Sequence, residues 1–463
     1  MEDIIGFYPL WYVPNFGSNN ILAITAVVHV LFSHMSVGAS FLLAYLATKS
    51  YREKKPEIML YVKKYIFTLL ITSYVIGSIT GPGIWFATTV ASPRGISALI
   101  HNFGWVWAAE WVWFVTEVII IYVLYYIINK IDAKSYMRLT WMFAAASFMT
   151  LLAIVGILSF MLSPGGDAWF TSGSAMDAFY NLNYFPHAFM RASYMFALAA
   201  LMGIVISTRL ENQELKSSIY RVMSMWGIGG ITFGTLFYLL YIQTVPQRSS
   251  EILDYAITDI FKTSLFSMVI VTITFFIITY ITSKRVKRAT PAILMLLFVL
   301  ALALYPEEKI RETIRKPFVV GEFMWSNQII ARDIPAKKVK SEVETIDKNG
   351  LLSVNPFVPE SMKTIEADNK VDAGRTVALL QCSACHSVEP NGARSLTKKI
   401  ETLTDEKIIY DFLEARLSGH PELGGAAYMP KLVGTEEEKQ ALAAFLADVN
   451  KKRLAEESQK AQN

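Results

Sequence analysis

Cysteine is almost absent from this chain: two residues among 463, at Cys382 and Cys385. That excludes a disulfide framework and leaves two closely spaced thiols to be accounted for. Charge is scarce as well. Asp, Glu, Lys and Arg make up 18% of the residues against 53% hydrophobic, and the apolar residues concentrate before position 306 in runs long enough to cross a bilayer, about 20 residues each. An ordinary soluble globule is excluded, and membrane lipid is an expected neighbour. Lysine and arginine are missing altogether from segments 1–19 and 163–183. No charged n-region precedes a short apolar stretch at the start, so no cleavable signal peptide is expected. No internal repeat is strong enough to argue from. The net charge of +4 reflects the loops of a membrane protein and gives no reason to expect nucleic acid as a partner.

Eight spans are predicted, at 20–47, 66–91, 103–128, 139–162, 184–207, 219–243, 263–283 and 289–305. Basic loops stay on the cytoplasmic side during insertion. Lys49, Arg52, Lys54, Lys55, Lys63 and Lys64 follow the first span; Lys130, Lys134 and Arg138, then Arg209, Lys216 and Arg221, then Lys284, Arg285, Lys287 and Arg288 fill the alternate connections. Across the membrane only Arg94, Arg248 and Lys262 interrupt the remaining loops. The expectation is an all-α polytopic bundle in a bacterial inner membrane, with both ends of the chain on the periplasmic side. Residues 306–366 read as a periplasmic connector, 367–453 as a small all-α domain and 454–463 as a charged disordered tail.

The two cysteines stand in Cys382-Ser383-Ala384-Cys385-His386, the Cys-x-x-Cys-His pattern of covalent haem attachment. Such a haem takes the adjacent histidine, His386, as proximal iron ligand and usually a methionine as distal one. Met429-Pro430 supplies it before a helical stretch from Thr435 to Val449. The segment from about Ala367 to Arg453 resembles a class I cytochrome c domain. Its first helix would run from Ala373 to Cys382, and its last would carry Leu442 and Phe445 on one face. One covalent haem c is therefore expected, outside the membrane.

Ionisable residues inside spans are costly and usually mark function. His29 lies in the first span and His187 just inside the fifth, both toward the outer side, with Met268 near the outer start of the seventh. Imidazoles from different helices at one depth suggest haem ligation, although each taken singly could be a helix–helix hydrogen bonder. Arg191 is one turn after His187 and could neutralise a haem propionate, or could snorkel to the interface. Glu110 and Glu117 are two turns apart, roughly 10 Å along one face, a spacing that could hand protons between depths. Trp105, Trp107, Trp111, Trp113 and Phe114 surround them. His34 and His101 are additional candidates with structural hydrogen bonding as the simpler reading.

The stretches TAVVHVLFSHMSVGASFLLA, TGPGIWFATTVASPRGISALIHNFGWVWAAEWVWFVTEV and FPHAFMRASY, with RETIRKPFVVGE at Arg311 to Glu322, resemble subunit I of the cytochrome bd-type quinol oxidase family over about residues 20–325. The resemblance implies His29 as an axial haem ligand, Glu110 and Glu117 as functional glutamates, and His187 with Met268 as low-spin b haem ligands. Glu312, three residues before Arg315, aligns with a glutamate ligand to a high-spin haem; Arg315, Lys316 and Glu322 would line a quinol edge. Two or more b haems and quinol are thus implied cofactors, and a chlorin-type haem is a further candidate. A second membrane subunit of the same family, a multihaem cytochrome or a soluble c-type cytochrome are the implied partners. The connection 244–262 is much shorter than the family's quinol-binding loop, and a cytochrome c segment stands in place of its last helix.

Three functions are compatible with these residues. Electrons could pass from quinol through b haems to the c haem and a c-type cytochrome. They could instead enter at the c haem and reduce O2 near His29 and Glu312. The chain could also serve as a non-catalytic haem subunit of a larger complex.

Overall fold

The computed structural model describes residues 5–256, 259–285, 290–301, 305–419 and 426–462. Six helices are long and apolar enough to cross a membrane among the described residues. They begin with α1 (Ser18–Glu53), followed by α2 (Ile58–Leu69), which runs through a π-helical turn at Leu70–Ile76 into α3 (Gly77–Ala91). Next come α4 (Pro93–Ile127) and α5 (Ala133–Leu162), two short helices α6 (Asp167–Ser172) and α7 (Ala175–Phe179), then α8 (Tyr184–Ser207) and α9 (Gln213–Thr244). Several helices outrun the predicted spans because the apolar run marks the bilayer core, whereas backbone hydrogen bonding continues into the polar flanks. Past α10 (Gln247–Ala256), the expected seventh and eighth spans fall on α11 (Asp259–Ile281) and α12 (Thr290–Val299), whose apolar lengths are shorter.

α1 is the central staff of the bundle, packed against α8, α5 and α3. Gly38 is where it meets α8: a Cβ there would lie 2.0 Å from the Met195 carbonyl oxygen. Small residues let backbones approach where lipid provides no hydrophobic drive between helices. α4 starts at Pro93, breaks helical geometry at Phe103 (φ −126°, ψ 25°) and leaves Trp105 91% exposed. That outward face suits lipid or another subunit rather than a ring held within this chain. Lys64 and Arg209, whose carbonyl accepts from the Lys64 Nζ at 3.0 Å, meet at one end of the bundle, and the described segments after α12 pack at the other, against Met161 of α5 and Arg94 at the head of α4.

That gathering corrects the picture of 306–366 as a polar linker. α13 (Tyr305–Arg315) leads into a two-stranded antiparallel hairpin, β1 (Phe318–Val320) and β2 (Met324–Trp325), seated on α5 by Gly321 N–H donating to the Met161 carbonyl at 2.9 Å. Buried Arg94 at the head of α4 donates to Glu342 at 2.6 Å and to the carbonyls of Gln328 and Ile5. α14 (Val343–Asn349), α15 (Leu351–Val354) and α16 (Glu360–Lys363) follow, and Glu438 accepts from the N–H groups of Leu351 and Leu352. α17 (Lys370–Gln381), α18 (Glu406–Arg416) and α19 (Glu436–Gln462) then build a separate small core with Leu442 and Phe445 buried in it. α17 and α19 cross at Gly374, where a Cβ would lie 1.9 Å from the Ala441 carbonyl oxygen. The tail expected to be disordered instead extends α19 to Gln462. Ala, Glu, Lys and Gln are strong helix formers, and Arg453–Glu457 adds a pair one turn apart.

Candidate functional site

The thiols of Cys382 and Cys385 are free and half-buried at the C-terminal end of α17. A tight turn follows, with His386 N–H donating to the Cys382 carbonyl at 3.0 Å. The His386 Nδ1 lies 2.7 Å from the Arg394 carbonyl, which makes Nδ1 the protonated nitrogen and leaves the Nε2 lone pair for a metal. Burial lowers the His386 pKa, with the Arg394 carbonyl acting against it, so the ring is neutral as ligation requires. Met429 is half-buried in a segment stapled to α18 by Ala426 N–H on the Arg416 carbonyl and Leu432 N–H on the Leu417 carbonyl. Donor types and tautomer fit a covalent haem.

This motif is held against the bundle. Asn19, at the start of α1, donates from Nδ2 to the Ala384 carbonyl at 2.6 Å, between the two cysteines. Tyr12 donates to Glu389 at 2.5 Å and accepts from Val388 N–H at 2.9 Å. Asn15 N–H donates to Glu389, and the Asn15 carbonyl accepts from Ala393 N–H at 2.7 Å. On the other flank Lys316 Nζ stands 3.5 Å from Cys385 Sγ. Lys316 also reaches Glu312 at 3.4 Å, and Arg315 contacts the same carboxylate at 2.5 Å while donating to the Val319 carbonyl. Burial would raise the Glu312 pKa, but Arg315, Lys316 and Arg311 outweigh it and hold it down at about 2. Glu312, expected as an iron ligand, is thus already engaged by two cations.

Inside the bundle, His187 is 1% exposed. Its Nδ1 lies 3.2 Å from Ser159 Oγ, and its Nε2 is buried with no hydrogen-bond partner. A buried imidazole nitrogen left bare is costly unless something else satisfies it, and an iron atom would. Met268 is buried on α11, one turn beyond Leu265, which packs into the cluster holding Met190 and Tyr241. Arg191 is claimed by protein: it pairs with Glu308 of α13 and lies 3.8 Å from Glu307. Burial opposes the Glu308 charge, yet Arg311 and Arg191 hold its carboxyl well below the usual range. The propionate partner expected at Arg191 is therefore a buried ion pair. His34, His187, Arg191, Glu308 and Arg311 lie within electrostatic reach of one another.

His29 faces α3, with Nδ1 3.1 Å from Thr80 Oγ1 and Gly81 leaving room for its ring. His34 and His101 bond the carbonyls one turn back, Val30 and Ser97, at 2.7 and 2.8 Å, which is the structural role. Glu117 is buried and its Oε1 accepts three hydroxyls, Ser36 at 2.8 Å, Tyr74 at 2.5 Å and Ser147 at 2.9 Å. Tyr74 belongs to the π-helical turn, a device that re-aims side chains and recurs at functional sites. Glu110 remains half-buried on the same helix. Tyr12, Asn19, Tyr74 and Glu308 were not legible as site residues, since no motif joins them to their partners.

Among the described residues, six membrane-length helices that bury an unpartnered imidazole and a hydrogen-bonded carboxylate away from water are the fold of a multi-pass membrane protein. Residues 18–241 match the family model of cytochrome bd terminal oxidase subunit I. The family binds b-type haems, uses quinol and works with a second membrane subunit. The structure of bd oxidase from Geobacillus thermodenitrificans shares the fold at a TM-score of 0.57 and 11% identity, over 75% of this chain and 96% of that one. No curated protein matches the chain.

Proposed function

We propose that this chain is a respiratory electron-transfer oxidoreductase that joins a bd-like haem b bundle to a covalent haem c, passing electrons between the quinol pool and a c-type cytochrome. One observation carries the reading: the Cys-x-x-Cys-His motif is fastened to the N-terminal end of α1 through Ala384 and Asn19, ten residues and roughly 15 Å along that helix from His29. Bound haem supplies one-electron transfer at each station. The chain's own part is to hold His386, His29 and His187 in fixed orientation and to keep the stations at a set separation. Eight spans, with the c-type domain and both chain ends in the periplasm, are the topology that goes with this reading; the Lys64–Arg209 contact lies at the far end of the bundle from that domain.

Reduction of O2 with electrons entering at the c haem is the second reading. The buried Glu117 and its three hydroxyl donors favour it, because such a site can hold a proton away from water.

The test is haem extraction with redox and carbon monoxide spectra on the purified full chain in its complex. One c haem plus b haems, with quinol reducing the c haem under nitrogen and no carbon monoxide shift, is the expected result. A carbon monoxide-shifted high-spin band would move the assignment to O2 chemistry, and no covalent haem would end both readings.

A further inference from the structure

One of the two thiols has a cation for a neighbour. Lys316 Nζ stands 3.5 Å from Cys385 Sγ, on a side chain only 20% exposed, so water and salt screen its charge weakly. Both sides of the contact are pinned. Lys316 follows the last turn of α13, where its N–H donates to the Thr313 carbonyl at 3.1 Å and its own carbonyl accepts from the Arg248 guanidinium. Opposite it, Asn19 holds the Ala384 carbonyl at 2.6 Å. The charges around Lys316 leave a surplus. Arg315 contacts Glu312 at 2.5 Å and offsets it, while Lys316 reaches the same carboxylate only at 3.4 Å. Arg248, bound to the Lys316 carbonyl, faces the C-terminus of α13 with its roughly half negative charge. The ammonium is left over, and it is the group placed at the sulfur.

Resting on the covalent haem c reading and deepening it, we propose that Lys316 is an electrostatic tuning residue: it raises the reduction potential of the haem attached at Cys382 and Cys385 and so draws electrons from the bundle toward it. Uptake of one electron, with no proton, makes a haem one unit more negative, and a fixed cation stabilises that state over the oxidised one. At an effective dielectric of about 20 and a separation of about 10 Å, Coulomb's law makes the difference roughly tenfold in the reduction equilibrium. For a one-electron couple that is about 59 mV. Lys316 comes from the segment seated on the bundle and Cys385 from the small domain, so the field exists only while the two are docked.

The test is a spectroelectrochemical titration of the c haem band in the purified full chain in its complex. The variants are Lys316→Met, Lys316→Arg, Glu312→Gln, the Lys316→Met/Glu312→Gln pair, and Lys134→Met, which removes an exposed charge at the start of α5. Lys316→Met should lower the midpoint by about 59 mV, the tenfold change above, and Lys316→Arg should keep it. Glu312→Gln should raise it, the pair should fall between the two single variants, and Lys134→Met should match the wild type. Opposite signs are the mark of charge, since a side chain that only kept the haem crevice closed would shift the midpoint the same way in both single variants. Unchanged covalent haem staining and b haem spectra show that the variants fold. Equal midpoints in the wild type and Lys316→Met, or a fall in both single variants, overturns the tuning role. The outcomes separate from those of the parent reading: quinol-driven c haem reduction without these shifts keeps the function and removes the role of Lys316, whereas the shifts without quinol-driven reduction keep that role and remove the quinol input. A wild-type chain with no c haem band ends both.

Discussion

Docking of the small haem-motif domain on the bundle is the feature most open to direct perturbation. Tyr12→Phe removes a hydroxyl that donates to Glu389 at 2.5 Å and accepts from Val388 N–H at 2.9 Å. A hydrogen bond to a charged group is worth about 1.5–3 kcal/mol and a neutral one about 1 kcal/mol. Asn19→Ala removes the bond to the Ala384 carbonyl, about another 1 kcal/mol. The two residues touch different partners, so their effects should nearly add. Allowing for the Asn15 bonds that remain, the double variant should weaken docking by about 3 kcal/mol, roughly a hundredfold. The assay is native-state amide exchange at Ala393, whose N–H donates to the Asn15 carbonyl across the interface. Its protection should fall about a hundredfold while amides of the α17–α19 crossing keep theirs. Unchanged protection at Ala393 in a folded double variant would refute the reasoning and leave the interface as mere proximity. A pH arm gives the same test a second axis. Burial and the bond to Glu389 raise the Tyr12 pKa from 10.0 to about 12. The neutral phenol is the docked form, so its contribution is whole below pH 10 and is lost as pH rises through 12. Exchange at Ala393 should accelerate over that window in the wild type, without the tyrosine step in Tyr12→Phe.

Three further perturbations follow from the bundle. Glu117→Ala strands the hydroxyls of Ser36, Tyr74 and Ser147 and should cost about 1–3 kcal/mol, read as a lower unfolding midpoint in detergent; Glu117→Gln keeps an acceptor oxygen and should cost clearly less, and equal losses would dismiss the three-hydroxyl account. Gly38→Ala sets a methyl 2.0 Å from the Met195 carbonyl oxygen, so α1 and α8 must separate at a cost of about 1–3 kcal/mol; wild-type thermal stability would show that the crossing is looser than described. Arg94→Met leaves Glu342 half-buried without its cation and should cost about 3–5 kcal/mol, seen as faster proteolysis after Ile5 and around Gln328, with no change in cleavage counting against the ion pair as an anchor.

Most of the membrane architecture was legible because hydropathy and length are nearly sufficient where every backbone group must be satisfied within a helix. His187 stands out in the sequence as an ionisable group in an apolar run, and the structure buries it with Nε2 unpartnered. The role of Arg191 was not legible. Its spacing after His187 suggested a shared ligand, yet α13 delivers Glu308 to it across more than a hundred residues of sequence, and a distant ion pair leaves no local pattern. The connector failed for a related reason. Residues 306–366 are polar and proline-bearing, which reads as linker, but polar segments order when their partners, here Arg94 and the α5 carbonyls, are already fixed by a rigid bundle.

By itself the sequence determined that the chain enters a bilayer, that its basic loops share one side, and that two thiols and an imidazole stand at haem-binding spacing. Each of these depends on short-range properties: hydrophobic run length, charge, and three residues within five. Only the tertiary structure decided that the motif is fastened to the head of α1 and that Lys316 comes within 3.5 Å of Cys385. Those are contacts between segments more than three hundred residues apart or sixty-nine apart, and no local rule specifies which polar atoms will meet when a folded domain settles on another.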